Sequence, residues 1–145
     1  MISRVVLDSN VIISGFLFGG PPARLIEHIV NGTLHGFTSL PILDEVREVV
    51  LQRPKFGLSP EQALCFVEEL YHSCTLVKPG RRIRAIQADP DDDMILECAS
   101  EANADLIISG DLHLLDLGSW EHIQILSPTN ALREIETQRK NNRLI

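Results

Sequence analysis

Cysteine is scarce in this chain and never arranged as a motif: Cys65, Cys74 and Cys98 are the three present, with no Cys-x-x-Cys pair. An odd count without that spacing speaks against a disulfide framework and a zinc site, and fits reduced, mostly buried thiols in a cytoplasmic protein. Long apolar runs are missing too. No stretch approaches the roughly 20 residues of a membrane span. Met1-Ile2-Ser3-Arg4 leads straight into a strand-like segment without a signal-peptide layout, so no membrane association is expected. Positive charge is also short: 13 Lys and Arg face 20 Asp and Glu, for a net −7. That balance argues against a general phosphate-binding surface. Nucleic acid remains a substrate only where a metal and a local basic patch offset the acids.

With 145 residues, 44% hydrophobic and 23% charged, the chain reads as one globular domain with no repeat or low-complexity segment. Val5-Val6-Leu7 is a short apolar run without alternation, as in a strand buried on both faces of a parallel sheet. Helices are expected over Val11–Phe18 and Ala23–Val30. A short strand follows at Gly36–Thr38, then a helix capped by Ser39 and reaching about Gln52. Pro54 to Leu58 reads as a loop. Ser59-Pro60-Glu61-Gln62 combines a cap, a first-position proline and a capping-box glutamine, so a helix begins at Pro60 and reaches His72. Thr75–Val77 and Asp105–Ser109 read as strands, with the connector Lys78–Ala88 and a helix to about Asn103 between them. A last strand covers His122–Leu126, and a last helix runs from Ser127-Pro128 to about Glu136. The domain is placed at 1–137, with a polar tail at 138–145. Alternating strands and helices give an α/β class with a largely parallel sheet, whose ligands sit beyond the carboxyl ends of the strands.

Asp89-Pro90-Asp91-Asp92-Asp93 packs four carboxylates into five residues, directly before the helix-like run Met94–Ala99. Two readings fit. As a helix start, Asp89 caps, Pro90 takes the first position, and Asp91 and Asp92 face unpaired backbone N–H groups. That leaves Asp93 beyond the first turn, where a divalent cation accounts for the surplus charge by taking oxygen ligands.

The topology rule supplies partners for the cluster. Asp8 ends the first strand and Asp111 follows the strand ending at Ser109, so neighbouring strands open both carboxylates onto one crevice. Each alone is equally well a turn or cap residue. In the third helix Ile42, Leu43, Val46, Val49 and Val50 form one stripe; Asp44 and Glu48 point away from it, while Glu45 lies on its edge. Asp8, Glu45, Asp93 and Asp111 thus come from four separate places, a set that suits Mg²⁺ or Mn²⁺ and the hydrolysis of a phosphodiester.

These positions resemble the PIN-domain nucleases, especially the toxin components of bacterial and archaeal toxin–antitoxin pairs. The resemblance is carried by Val5-Val6-Leu7-Asp8-Ser9-Asn10-Val11 and by Ser39-x-x-Ile42-Leu43-Asp44-Glu45-Val46. It continues in Asp89-Pro90-Asp91-Asp92-Asp93 and in Asp105-Leu106-Ile107-Ile108-Ser109-Gly110-Asp111 with Leu114-Leu115. Order and spacing agree from about residue 4 to residue 135. The resemblance implies a three-layer α/β/α fold with strand order 3-2-1-4-5 and a Mg²⁺- or Mn²⁺-dependent ribonuclease site. Asp8, Glu45, Asp93 and Asp111 fall on the acidic positions, with Asp92 the alternative for the third. Asn10 and Ser109 match polar positions that support the acids. The family often has another Asp two positions after the last acid; here His113 stands there. The implied cut uses water and leaves a 3′-hydroxyl and a 5′-phosphate. The implied partners are an RNA substrate, a second copy of the chain, and an antitoxin whose peptide lies across the active-site groove. Arg81, Arg82, Arg84 and His113 are candidate contacts to RNA or antitoxin, against internal pairing of the arginines with nearby acids.

Other classes fit less well. An aspartyl phosphatase needs an Asp where Asn10 stands, a receiver domain needs a Lys near Ser109-Gly110, and no Gly-x-Ser-x-Gly elbow marks a serine hydrolase. A PIN-like module that binds without cutting, or a housekeeping RNA-processing nuclease without an antitoxin, stays open beside the toxin.

Overall fold

The computed structural model describes residues 1–52, 57–85 and 90–143. The expected cap Asp89, most of the expected Pro54–Leu58 loop and the end of the Lys78–Ala88 connector lie outside them. The elements are β1 (Arg4–Leu7), α1 (Ser9–Leu17), α2 (Gly20–Val30), β2 (His35–Thr38), α3 (Leu40–Gln52), α4 (Pro60–Ser73), β3 (Thr75–Leu76) and α5 (Pro90–Ala102). After them come β4 (Leu106–Ile108), α6 (Leu112–Leu117), β5 (Ser119–Trp120), β6 (Ile123–Leu126) and α7 (Pro128–Arg143).

One sheet runs β3-β2-β1-β4-β6-β5, parallel throughout except for the β5–β6 pair. The expected order 3-2-1-4-5 holds, its fifth strand being β6. The continuous apolar runs of β1 and β4 lie at its centre: Val5, Val6, Leu106, Ile107 and Ile108 have no exposed surface. Burial on both faces is why these strands carry no polar alternation. The register pairs Leu7 with Ile108 and Ile108 with Leu126, so the carboxyl ends are level. The next residues, Asp8, Ser109 and Ser127, form a polar crest. The chain builds outward from β1 to β2 and β3, then restarts on the other side at β4. Between β1 and β4 lies the switch point where α/β sheets open a crevice.

α4 opens as its sequence requires, with Ser59 Oγ accepting from the Gln62 N–H and Gln62 Oε1 accepting from the Ser59 N–H. On α3, Ile42, Leu43, Val46 and Val50 are buried while Asp44 and Glu48 face out. Several features depart from the sequence reading, among them α6, which Asp111 caps, and the start of α2 at Gly20 rather than Ala23. A hairpin strand, β5, precedes β6, turning through Glu121 at φ 55 and tied inward by Trp120 Nε1, which donates to Ser100 Oγ at 3.2 Å. And α7 does not stop near Glu136 but continues through the polar stretch to Arg143. Tertiary bonds hold it there: Gln138 Oε1 accepts from the Ile2 N–H at 2.8 Å, and Arg139 donates to the Thr33 carbonyl. Among the described residues no helix is long and apolar enough to cross a membrane.

The cysteines divide by burial. Desolvation pushes the Cys74 thiol up to about 11, and the Cys98 thiol up to about 12 despite its hydrogen bond with Ser39; Cys65 is exposed. Thiolate is the reactive form. A disulfide-exchange reagent at pH 8 should therefore modify Cys65 quickly in the native protein and reach Cys74 and Cys98 only in denaturant. Three equally fast thiols under native conditions would contradict this burial.

Candidate metal centre

Asp8 stands in the N-cap position of α1, where an aspartate ordinarily accepts from the first-turn N–H groups. Its side chain makes no such bond. Its backbone carbonyl receives the Val11 and Ile12 N–H groups, and its carboxylate turns to the crevice, where Ser109 Oγ donates to Oδ2 at 2.6 Å. The fully buried Ser109 hydroxyl also accepts from the Asp111 N–H at 3.0 Å. One serine thus fastens the acids that follow β1 and β4. Asp111 caps α6, its Oδ1 accepting from the His113 N–H at 2.8 Å.

The first turn of α5 faces the same place. Asp92 Oδ2 lies 3.8 Å from His113 Nδ1, which is 3.6 Å from Asp111 Oδ1. Asp92, Asp111 and His113 offer ligand atoms that all fall within 4.8 Å of one another. Asp93 is turned differently for at least one oxygen: Oδ1 accepts from the Ala85 N–H at 3.0 Å. Glu45 sits half-buried on the edge of the α3 stripe and receives a hydrogen bond from Ser9, the residue after Asp8. Asp8 and Asp111 are therefore linked through Ser109, Asp111 and Asp92 meet at His113, and Glu45 is tied to Ser9 beside Asp8, whereas Asp93 directs Oδ1 to Ala85. Asn10 is exposed, and no hydrogen bond joins it to these acids among the described residues.

Two residues matter more than sequence reading allowed. Ser9, only 3% exposed, orients Glu45, and its one sequence signal is its place beside Asp8. His113 is not a detached surface histidine but stands between two carboxylates; its signal is its place two residues after Asp111. Of the arginines, Arg81 pairs internally, with Glu121 and with Ser100 Oγ.

Asp8, Asp92 and Asp93 are each 5–6% exposed. Bringing such buried like charges together is costly without a counter-charge. A hard divalent cation suits the donor set, since its ligands lie about 2.0–2.1 Å away and hence roughly 3–4 Å from one another. Asp92, Asp111 and His113, with donor atoms within 4.8 Å of one another, come close to that spacing, two of the three through carboxylate oxygen. Ser109→Ala leaves Asp8 and the Asp111 turn without their shared hydroxyl; it should weaken metal affinity by roughly 10–100-fold while the fold persists. Titration calorimetry with Mn²⁺ checks this, and unchanged affinity would remove Ser109 from the site.

A family model described as PIN domain matches residues 4–113. Among curated proteins no sequence match is found. Among solved structures, a chain in the crystal structure of VapBC2 from Rickettsia felis bound to a DNA fragment from their promoter is similar in fold. It has a TM-score of 0.59 at 12% identity, over 86% of this chain and 98% of that one. The family match spans most of the sequence and takes in β1, the crevice acids and His113: the chain belongs to the PIN domain family.

Proposed function

We propose that the protein is an endoribonuclease that hydrolyses RNA phosphodiesters with Mg²⁺ or Mn²⁺ held by Asp8, Asp92 or Asp93, and Asp111, with Glu45 beside them. The observation that carries this reading is the convergence of acids on the β1–β4 switch point, two of them fastened by one buried hydroxyl. A bound divalent ion supplies acidified water and offsets charge on the phosphoryl and leaving oxygens. The chain's own residues do the rest. Ser109 holds Asp8 and Asp111 in register, Ser9 orients Glu45, and His113 stands at the open side with a polarity suited to a phosphate oxygen.

PIN membership supports a nuclease. The likeness to a chain of VapBC2 supports the toxin of a pair with an antitoxin; action as a homodimer in the cytoplasm is a further part of the proposal. Mixed RNAs incubated with Mg²⁺ or Mn²⁺ should be cut to 5′-phosphate fragments, and EDTA should stop the reaction. No cleavage with either ion would favour a PIN-like module that binds without cutting. A neighbouring open reading frame for a small DNA-binding protein that co-purifies and inhibits would support the toxin; its absence would favour a housekeeping nuclease.

A further inference from the structure

After β3 the chain crosses α5 as an extended strap. The Val77 N–H still donates to the Thr38 carbonyl. From there three α5 acids stitch the strap down: Glu101 accepts from the Gly80 N–H, Glu97 from Ile83 and Asp93 from Ala85. Positions 93, 97 and 101 share one helical face, so strap and helix run in opposite directions. The strap alternates like a strand. Ile83 is buried at 8% exposure, whereas Arg82 and Arg84 stand exposed on either side of it. Arg81 braces the strap from behind through Glu121 and Ser100. Arg82 and Arg84 have no acidic partner among the described residues, although the chain carries net −7.

These side chains border a groove of about 1270 Å³, lined also by Leu40, Pro41, Leu76 and Asp93. The groove thus reaches the neighbour of Asp92 in the first turn of α5. We propose that the groove seats the single-stranded RNA adjoining the scissile phosphate, with Lys78, Arg82 and Arg84 on its phosphates and Arg81 as a strut. This rests on the ribonuclease reading. Among the described residues no aromatic side chain lines the groove, so bases find no stacking platform on them. Contacts to phosphate and sugar position the strand without reading its sequence.

The test is fluorescence anisotropy with a labelled 12-nucleotide single-stranded RNA in EDTA, across a salt series, alongside cleavage in Mg²⁺. Arg82→Ala with Arg84→Ala should weaken binding at least tenfold and flatten the log K against log salt slope by about 1.4, since each single-strand phosphate contact contributes about 0.7. The Lys pair at these positions should restore most of both. Arg133→Ala, on α7, should change neither. If the wild type cleaves RNA and the alanine pair leaves affinity and slope unchanged, the groove proposal fails while the ribonuclease reading stands. Loss of RNA cleavage and binding altogether, with a labelled acidic peptide held through Arg82 and Arg84 instead, would overturn it in favour of a protein partner.

Discussion

Asp8→Asn is expected to lower RNA cleavage on the order of 10³-fold, the rate equivalent of about 4 kcal/mol, as for loss of most of the metal's charge stabilisation. The protein should not unfold. Asparagine keeps the shape, its Oδ1 still accepts from Ser109 Oγ, and the substitution removes one of the buried like charges around the crevice. In metal-free buffer the variant should melt at or above the wild-type temperature, because repulsion is relieved. Adding Mn²⁺ should reverse the order, since an ion bound only to the folded state stabilises by about 2.7 kcal/mol at one hundred times its Kd. Wild type should gain that shift and Asp8→Asn should not. Equal cleavage by both proteins would remove Asp8 from the site.

Asp92→Asn is expected to cost as much as Asp8→Asn, by loss of a carboxylate that shares ligand distance with Asp111 and His113. Asp93→Asn should differ in kind. Its Oδ1 can still accept from Ala85, so the strap stays stitched and the loss of cleavage should be well short of 10³-fold. The resemblance to PIN-domain nucleases implies Asp93 as the third acid with Asp92 the alternative, so the pair of variants decides between the two. Loss of metal binding in Asp93→Asn with Asp92→Asn unaffected would give the position to Asp93.

The central strands were legible because β1 and β4 are buried on both faces and their sequences carry unbroken apolar runs. α4 was legible because a capping box states its start chemically. From those strands the switch point follows, and with it the convergence of Asp8 and Asp111. Glu45 followed from its angle on the α3 stripe. What stayed hidden depends on contacts between distant segments. Nothing in Glu121-His122 announces a hairpin, because the positive φ at Glu121 is held by Trp120 and Arg81 binding Ser100 and the turn itself. The end of α7 is polar, and it is fastened by bonds to Met1, Ile2 and Thr33, far away in sequence. The Ser9–Glu45 link joins residues 36 apart. Asp92 and Asp93 are adjacent helical positions about 100° apart, and only the surroundings of that helix tell their directions apart.

Mn²⁺ binding followed by electron paramagnetic resonance tests the site most directly, because free Mn²⁺ gives a signal that broadens away on binding. Wild type should bind the ion, Mg²⁺ should displace it, and Asp8→Asn, Asp92→Asn and Asp111→Asn should each lose most of the binding while remaining folded. Undiminished binding in all three variants would contradict the account.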